Sequence, residues 1–126
     1  MRKILLVAAA LNGLAAVVMG AITQHGFAGD PQQVDLAATG IRYGLPHAAV
    51  LLALLTLTPP VRPLALRLLT AAQASLALGA TLFSFSLYLA ALGAPNEILM
   101  ATPAGGTLMI LGWVLLFVYG LTEARE

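Results

Sequence analysis

Two histidines and a few hydroxyl side chains are the residues of this sequence that could do chemistry. His25 follows a long apolar run, and His47 lies inside the next run, four residues after Tyr43. Three further hydroxyls fall near the end of a third run, which reaches the same membrane level if successive helices are antiparallel. Ionisable groups inside a membrane are functional candidates by default. The pattern predicts a polar pocket near one membrane surface, with the ligand-binding candidates His25, Tyr43, His47, Ser84, Ser86 and Tyr88.

Two interpretations of this pocket stay open. In the first, it binds a small molecule, a quinone or lipid headgroup, a proton, or a metal held by the two imidazoles. In the second, His47 bonds to Tyr43, Ser84 or a backbone carbonyl and fastens the helices, because a neutral imidazole is much cheaper to bury than a charged group. Two histidines without a carboxylate or cysteine make an incomplete metal site. We therefore predict no metal and no cofactor, with a bis-histidine haem as the alternative.

Catalytic constellations are missing from the sequence. The central parts of the apolar runs hold no Asp, Glu, Lys or Arg, so a Ser–His–Asp set cannot be assembled inside them. There is no cysteine, no HExxH motif and no Gly-rich phosphate loop after a strand. The sequence predicts that the protein is not an enzyme.

Composition places the chain in a membrane. Its 126 residues are 60% hydrophobic and 9% charged, whereas soluble domains are about a quarter charged. The formal net charge of +1 gives no reason to expect nucleic acid as a partner. The lipid bilayer is the expected environment.

The apolar runs predict an all-α, integral membrane four-helix bundle forming a single domain over residues 1–126. Pro46 lacks an N–H and should bend the second helix, whereas Pro59 and Pro60 should end it. The third helix carries small or polar residues on two opposed stripes, which places it centrally or at an oligomer contact. The predicted helices span about residues 3–24, 39–58, 64–92 and 102–121.

Small residues recur on the faces predicted to meet other helices. Gly40 and Gly44 are four apart, the spacing that lets two membrane helices approach backbone to backbone. Trp113 and Asn12 should lie near mid-membrane, where Asn12 could bond across helices. The predicted helix-packing glycines are Gly13, Gly20, Gly40, Gly44, Gly79, Gly105, Gly106 and Gly112.

Basic residues are unevenly divided between the two ends of the predicted helices. Arg42 is the single basic residue at one end, which also holds the acids Asp30, Asp35 and Glu97. Positively charged residues favour the cytoplasmic side, so both termini are predicted to be cytoplasmic and the pocket to face the outer leaflet. The basic residues at the cytoplasmic end are Arg2, Lys3, Arg62, Arg67 and Arg125.

Four segments of the chain form a recognisable set: Gly20–His25 (GAITQH), Thr39–Ala48 (TGIRYGLPHA), Leu82–Leu89 (LFSFSLYL) and Thr102–Leu115 (TPAGGTLMILGWVL). In this order they resemble the YgdD-like family, catalogued as domain of unknown function 423, which includes bacterial inner-membrane proteins and the eukaryotic transmembrane protein 256. The third segment departs from the family's FSGSLY, because Phe85 replaces a glycine, and the first departs from GAFGAH. The resemblance implies a small four-helix protein of a bacterial inner membrane and supplies no activity.

The functional hypothesis is a structural or accessory membrane protein that associates with itself, as a homo-oligomer, or joins a larger membrane complex. The alternative is a binder or transporter of a small or lipidic molecule through the outer-leaflet pocket.

Overall fold

The chain folds as an all-α four-helix bundle. A computed structural model describes residues 1–27 and 29–123. Arg125, one of the basic residues assigned to the cytoplasmic end, lies outside the described residues. The elements are α1 (Arg2–His25), α2 (Pro31–Leu54), α3 (Pro63–Ala91), a short 3-10 helix, η1 (Asn96–Met100), and α4 (Ala101–Glu123).

Helix α2 begins eight residues earlier than the sequence analysis expected. Asp30 caps it, since its carboxylate accepts from the amides of Gln32 (3.0 Å) and Gln33 (3.4 Å), and Pro31 occupies the first turn. The polar residues before the predicted start at residue 39 therefore belong to the same helix as the apolar run that follows them. It continues through Pro46, and the bend expected there stays a prediction.

The end of α2 is also earlier than expected, at Leu54 rather than residue 58. The Leu54 carbonyl accepts from the side-chain amide of Gln73 on α3, at 3.2 Å. The Thr56 hydroxyl donates to the Ala53 carbonyl at 2.7 Å, and Pro59 disfavours a helical conformation at the residue before it. The backbone amides of Thr56 and Leu57 also donate to these two carbonyls, three residues back, so the helix ends in a tighter turn whose carbonyls side chains help to satisfy.

Helix α3 is the central element. Among the described residues its backbone approaches α1, α2, η1 and α4, whereas that of α4 approaches only α3 and η1. Both predicted stripes of α3 are covered by helices of the same chain: Ser84 bonds to α2, and Gly79 packs on α4. The helix ends where Gly93 adopts φ of 95°, a left-handed conformation that glycine adopts without strain.

Helices that follow one another along the chain run in opposite directions, so α1 and α3 run in the same direction. Arg62, at the start of α3, donates to the carbonyl of Thr122 near the end of α4, at 3.3 Å. Arg2, at the start of α1, lines the same cavity as residues of the first turns of α3. We call this the terminal end, because α1 starts and α4 finishes there. The opposite end holds a second core cluster, in which Phe27 packs with Ala37, Tyr88 and Ala91.

Three segments, Arg2–His25, Pro63–Ala91 and Asn96–Glu123, are long and apolar enough to span a membrane. Helix α2 has sufficient length, at 24 residues, but its first half carries Gln32, Gln33, Asp35 and Arg42, which lower its mean hydropathy. The bundle thus holds three helices with the composition of membrane spans and a fourth that is apolar only in its second half.

Candidate functional site

His47 lies at the centre of the candidate site and uses both of its ring nitrogens. The side chain is only 8% exposed. Its Nδ1 lies 2.6 Å from the Tyr43 carbonyl oxygen, and the indole Nε1 of Trp113 donates to its Nε2 across 3.1 Å. Because a carbonyl can only accept, the proton must sit on Nδ1, which leaves the Nε2 lone pair for Trp113. This arrangement requires a neutral imidazole, since a doubly protonated ring has no acceptor for the indole.

Trp113 joins α4 to α2, two helices whose backbones do not approach each other among the described residues. The two rings meet edge to face, with centroids 6.0 Å apart. Trp113 was expected near mid-membrane, but its pairing with His47 was not predicted. A usable signal existed: an indole N–H in an apolar setting needs an acceptor, and a neutral imidazole such as that of His47 supplies one.

His47 lies deeper than the predicted helix start implied. Counted from Pro31, it is 16 residues into α2, roughly 24 Å along the axis. Its partner Trp113 lies 12 residues into the 23-residue α4, so the imidazole is near the middle of the bundle.

Tyr43 turns away from His47. Its side chain is 43% exposed and packs edge to face on Phe83 of α3, at a centroid distance of 5.0 Å. Only the backbone carbonyl of Tyr43 contacts the imidazole. The sequence left Tyr43, Ser84 and a backbone carbonyl open as hydrogen-bond partners of His47, and the structure shows the backbone carbonyl.

Ser84 and Tyr88 fill the glycine notch of α2. The Ser84 hydroxyl is fully buried and donates to the Gly40 carbonyl at 3.0 Å. A Cβ added to Gly40 would lie 2.5 Å from Cε1 of Tyr88, and one added to Gly44 would lie 2.7 Å from Oγ of Ser84. The two glycines thus admit a hydroxyl and an aromatic ring from α3.

The Tyr88 hydroxyl is buried and makes no hydrogen bond of good geometry to a described residue. Ser84 lies nearby, and because its hydrogen is donated to Gly40, its oxygen can only accept from Tyr88. The carboxamide oxygen of Asn12 is also buried without a partner, although its Nδ2 donates to Ala8 and to Thr81. Buried polar atoms without partners are uncommon in proteins, so these two oxygens mark places where a small polar molecule could gain a hydrogen bond.

Ser86 and His25 stand apart from this cluster. Ser86 faces α4: it donates to the Phe83 carbonyl at 2.9 Å and meets the Thr102 hydroxyl at 2.7 Å. Because the Ser86 hydrogen is already used, Thr102 is the donor in that pair. His25 is the exposed last residue of α1. The structure therefore places Ser84 and Tyr88 against Gly40 and Gly44 of α2, whereas His47 lies about one turn farther along that helix and bonds to Trp113.

The predicted packing glycines fall into two groups. A Cβ on Gly13 would come no closer than 3.9 Å to another atom, one on Gly106 no closer than 3.7 Å, and one on Gly20 would meet nothing within 4 Å. The other five would clash with a neighbour at 2.8 Å or less: Gly40, Gly44, Gly79, Gly105 and Gly112.

The surface cavities described below lie away from this cluster. Three surface cavities have volumes of about 200, 260 and 280 Å³, and of the six predicted ligand-binding residues only Ser86 lines any of them. Within residues 1–27 and 29–123, no three His, Asp or Glu side chains are close enough to hold a metal ion. The cluster is arranged for contacts between helices.

Comparison with known proteins places these features in a family. The chain is 35% identical to a UPF0382 membrane protein of Haemophilus influenzae over 122 residues, covering 93% of this chain and 92% of the relative. It is 29% identical to the UPF0382 membrane protein YwdK of Bacillus subtilis over 118 residues, covering 92% and 94%. No solved structure matches significantly. Residues 19–106 match the family described as "Protein of unknown function (DUF423)", and the chain is a multi-pass membrane protein that belongs to this family.

Proposed function

We propose that the protein is a non-enzymatic structural or accessory membrane protein that associates with itself or joins a larger membrane complex. One observation carries the proposal: the intramembrane imidazole of His47 has both nitrogens engaged, one by its own helix and one by α4. A general base or metal ligand needs a free nitrogen, and a neutral imidazole bonded at both has none. Ser84 and Ser86 are likewise bonded between helices.

Helix direction supports a four-pass arrangement with both ends on one side. The starts of α1 and α3 share the terminal end, so α2 must return along the bundle between them. If α1 and α3 cross the bilayer, α2 therefore crosses it too. Arg2, Lys3 and Arg67 lie at the terminal end, which supports a cytoplasmic location for that end and residence in the bacterial inner membrane.

The absence of cysteine gives a clean test of self-association. Single cysteines replacing Leu14 on α1, Leu78 on α3 and Phe117 on α4, which are 63%, 54% and 68% exposed, would report separate lipid-facing surfaces. Oxidative cross-linking in native membranes should give a dimer for at least one of them and not for all three. A chain that cross-links at none, and is a monomer without co-purifying proteins after mild detergent extraction, would contradict the proposal.

The second candidate function is binding of a small or lipidic molecule near Tyr43 and Tyr88. The unpartnered Tyr88 hydroxyl supports it, because a bound molecule would supply the missing hydrogen bond. Mass spectrometry of molecules extracted from the purified protein should then show a species that Tyr88→Phe loses while its melting temperature holds. Identical extracts from both proteins would leave the structural function as the better account.

A further inference from the structure

A cavity at the terminal end combines an apolar floor with a cationic rim. It has a volume of about 200 Å³ and lies among the first turn of α1, the last turn of α2 with the residues after it, and the first turns of α3. Leu5, Leu54 and Leu69 form its floor and belong to the core cluster of this end. The cavity exists because α2 stops at Leu54 and leaves α1 and α3 uncovered beyond it.

Arg2 supplies the charge at the mouth of the cavity. It is exposed, and it is the one residue with a charged side chain among those that line the cavity. Lys3 and Arg67 are exposed at the same end of the bundle but do not line this cavity. The side chain that reaches the cavity can therefore contact an anion, and no carboxylate of the lining opposes it.

Two polar side chains also line the cavity. Thr70 and Gln73 are three residues apart on α3, so they share a face. Gln73 uses one amide hydrogen for the Leu54 carbonyl, which leaves its second amide hydrogen and its oxygen. The lining therefore combines a cation, a hydroxyl, a carboxamide and several leucines.

These groups are the ones that would contact a glycerophospholipid, which carries a phosphate, ester groups and acyl chains. Sites that enclose a whole small molecule have volumes of about 300–1,000 Å³, and this cavity is smaller. It suits a ligand of which only part enters the protein while the rest stays in the bilayer. We propose that this cavity binds an anionic phospholipid, with the phosphate on Arg2, the ester region at Thr70 and Gln73, and one acyl chain over Leu5, Leu54 and Leu69.

Two other cations provide matched controls: Lys3, next to Arg2, and Arg42, at the opposite end of the bundle. Native mass spectrometry of the full chain, tagged only at the C-terminus, would compare retention of phosphatidylglycerol and phosphatidylcholine. The unaltered protein should retain phosphatidylglycerol preferentially. Arg2→Gln should weaken phosphatidylglycerol retention about tenfold, the scale of a charge-assisted hydrogen bond, while Lys3→Gln and Arg42→Gln change it less than about twofold.

A second variant tests the cavity rather than the charge. Thr70→Phe places a ring in the cavity and keeps Arg2, so it should reduce phosphatidylglycerol retention about as much as Arg2→Gln does. Melting temperatures within a few degrees of the unaltered protein would show that both variants fold, and an unfolded Thr70→Phe would be replaced by Thr70→Leu. Equal losses for Lys3→Gln and Arg2→Gln, or no preference between the two lipids, would overturn the proposal. Competition by millimolar inorganic phosphate alone would also overturn it, because the site would then take an anion without a lipid.

Discussion

The two sides of α3 hold their neighbours in different ways. Toward α4 the contact is backbone on backbone: a Cβ on Gly105 would lie 2.5 Å from the Phe83 amide nitrogen, and one on Gly79 would lie 2.7 Å from that of Met109. Toward α2 the glycines meet side chains instead, the ring of Tyr88 and the hydroxyl of Ser84. Lipid gives no hydrophobic drive for helices to associate, so close packing and polar bonds must supply it.

This difference has a mechanical consequence. A backbone contact cannot adjust when a methyl group is added, because moving one atom moves a whole helix. A side-chain contact can adjust in part, because a ring or hydroxyl can change its rotamer. The α3–α4 contact should therefore tolerate substitution less well than the α2–α3 contact.

The largest effect is expected from Gly105→Ala. Its methyl group would overlap the backbone of α3 at Phe83 and Gly79, which should lower the free energy of unfolding by about 3 kcal/mol. SDS-induced unfolding in mixed micelles, followed by circular dichroism, measures the change.

Gly106→Ala is the matched control on the same turn. Its methyl would find its nearest atom, in the Phe83 ring, at 3.7 Å, an ordinary contact. Since alanine also favours the helix by about 1 kcal/mol over glycine, this variant should be neutral or slightly more stable. Equal losses for the two variants would show that α4 does not rest on α3 through Gly105.

A smaller effect is expected from Gly40→Ala in the α2–α3 contact. The new methyl would lie 2.5 Å from the Tyr88 ring, and partial movement of the ring should limit the loss to about 2 kcal/mol. Tyr88→Leu removes the ring, so Gly40→Ala should cost clearly less in that background, a non-additivity that identifies the contact. Gly20→Ala, with nothing within 4 Å, should be neutral or slightly more stable, like Gly106→Ala. Additive effects of Gly40→Ala and Tyr88→Leu would contradict this description of the contact.

The sequence was sufficient for the helices and for most of the close glycine contacts. Long apolar runs separated by proline and glycine predict helices reliably, and Gly40 and Gly44 at a four-residue spacing do lie against α3. The start of α2 was misplaced because polar residues near Asp35 resemble a loop in composition. Asp followed by Pro is a typical helix start, and α2 does begin at Pro31 with Asp30 as its N-cap.

The arrangement around His47 could not be derived in the same way. Spacing places Tyr43 and His47 on one face of α2. It does not predict that the Tyr43 ring packs on Phe83 while the Tyr43 carbonyl accepts a hydrogen bond from the imidazole. The bond to Trp113 depends on the relative rotation of two helices that are not neighbours along the chain. Such rotations follow from the packing of all four helices and leave no local signature.

The third prediction concerns the polar link from α2 to α4. His47→Phe and Trp113→Phe each remove one partner of the bond, and both keep an aromatic ring in place. The double-mutant cycle should give a coupling of about 1 kcal/mol, within the range for polar bonds between membrane helices. A coupling near zero would mean that the bond between His47 and Trp113 does not contribute to stability and that α4 is held by its backbone contact with α3.

The smallest effect is expected where α1 meets α3. Asn12 donates to the Thr81 hydroxyl at 2.8 Å, but its own carboxamide oxygen is buried without a partner. Thr81→Val should lower the free energy of unfolding by about 0.6 kcal/mol, the average for such bonds, because Asn12 keeps its bond to Ala8. Thr107→Val is the control: that exposed hydroxyl also bonds to a carbonyl of its own helix, but it has no partner across helices.

Asn12→Leu should be nearer to neutral than Thr81→Val, although it deletes the same bond. It also removes the unpartnered buried oxygen, whose desolvation opposes folding. Asn12 would then contribute less to stability than its burial suggests, in contrast to the fully bonded His47. A loss of more than about 1 kcal/mol for Asn12→Leu would indicate that the oxygen has a partner in the membrane, with ordered water as the simplest candidate.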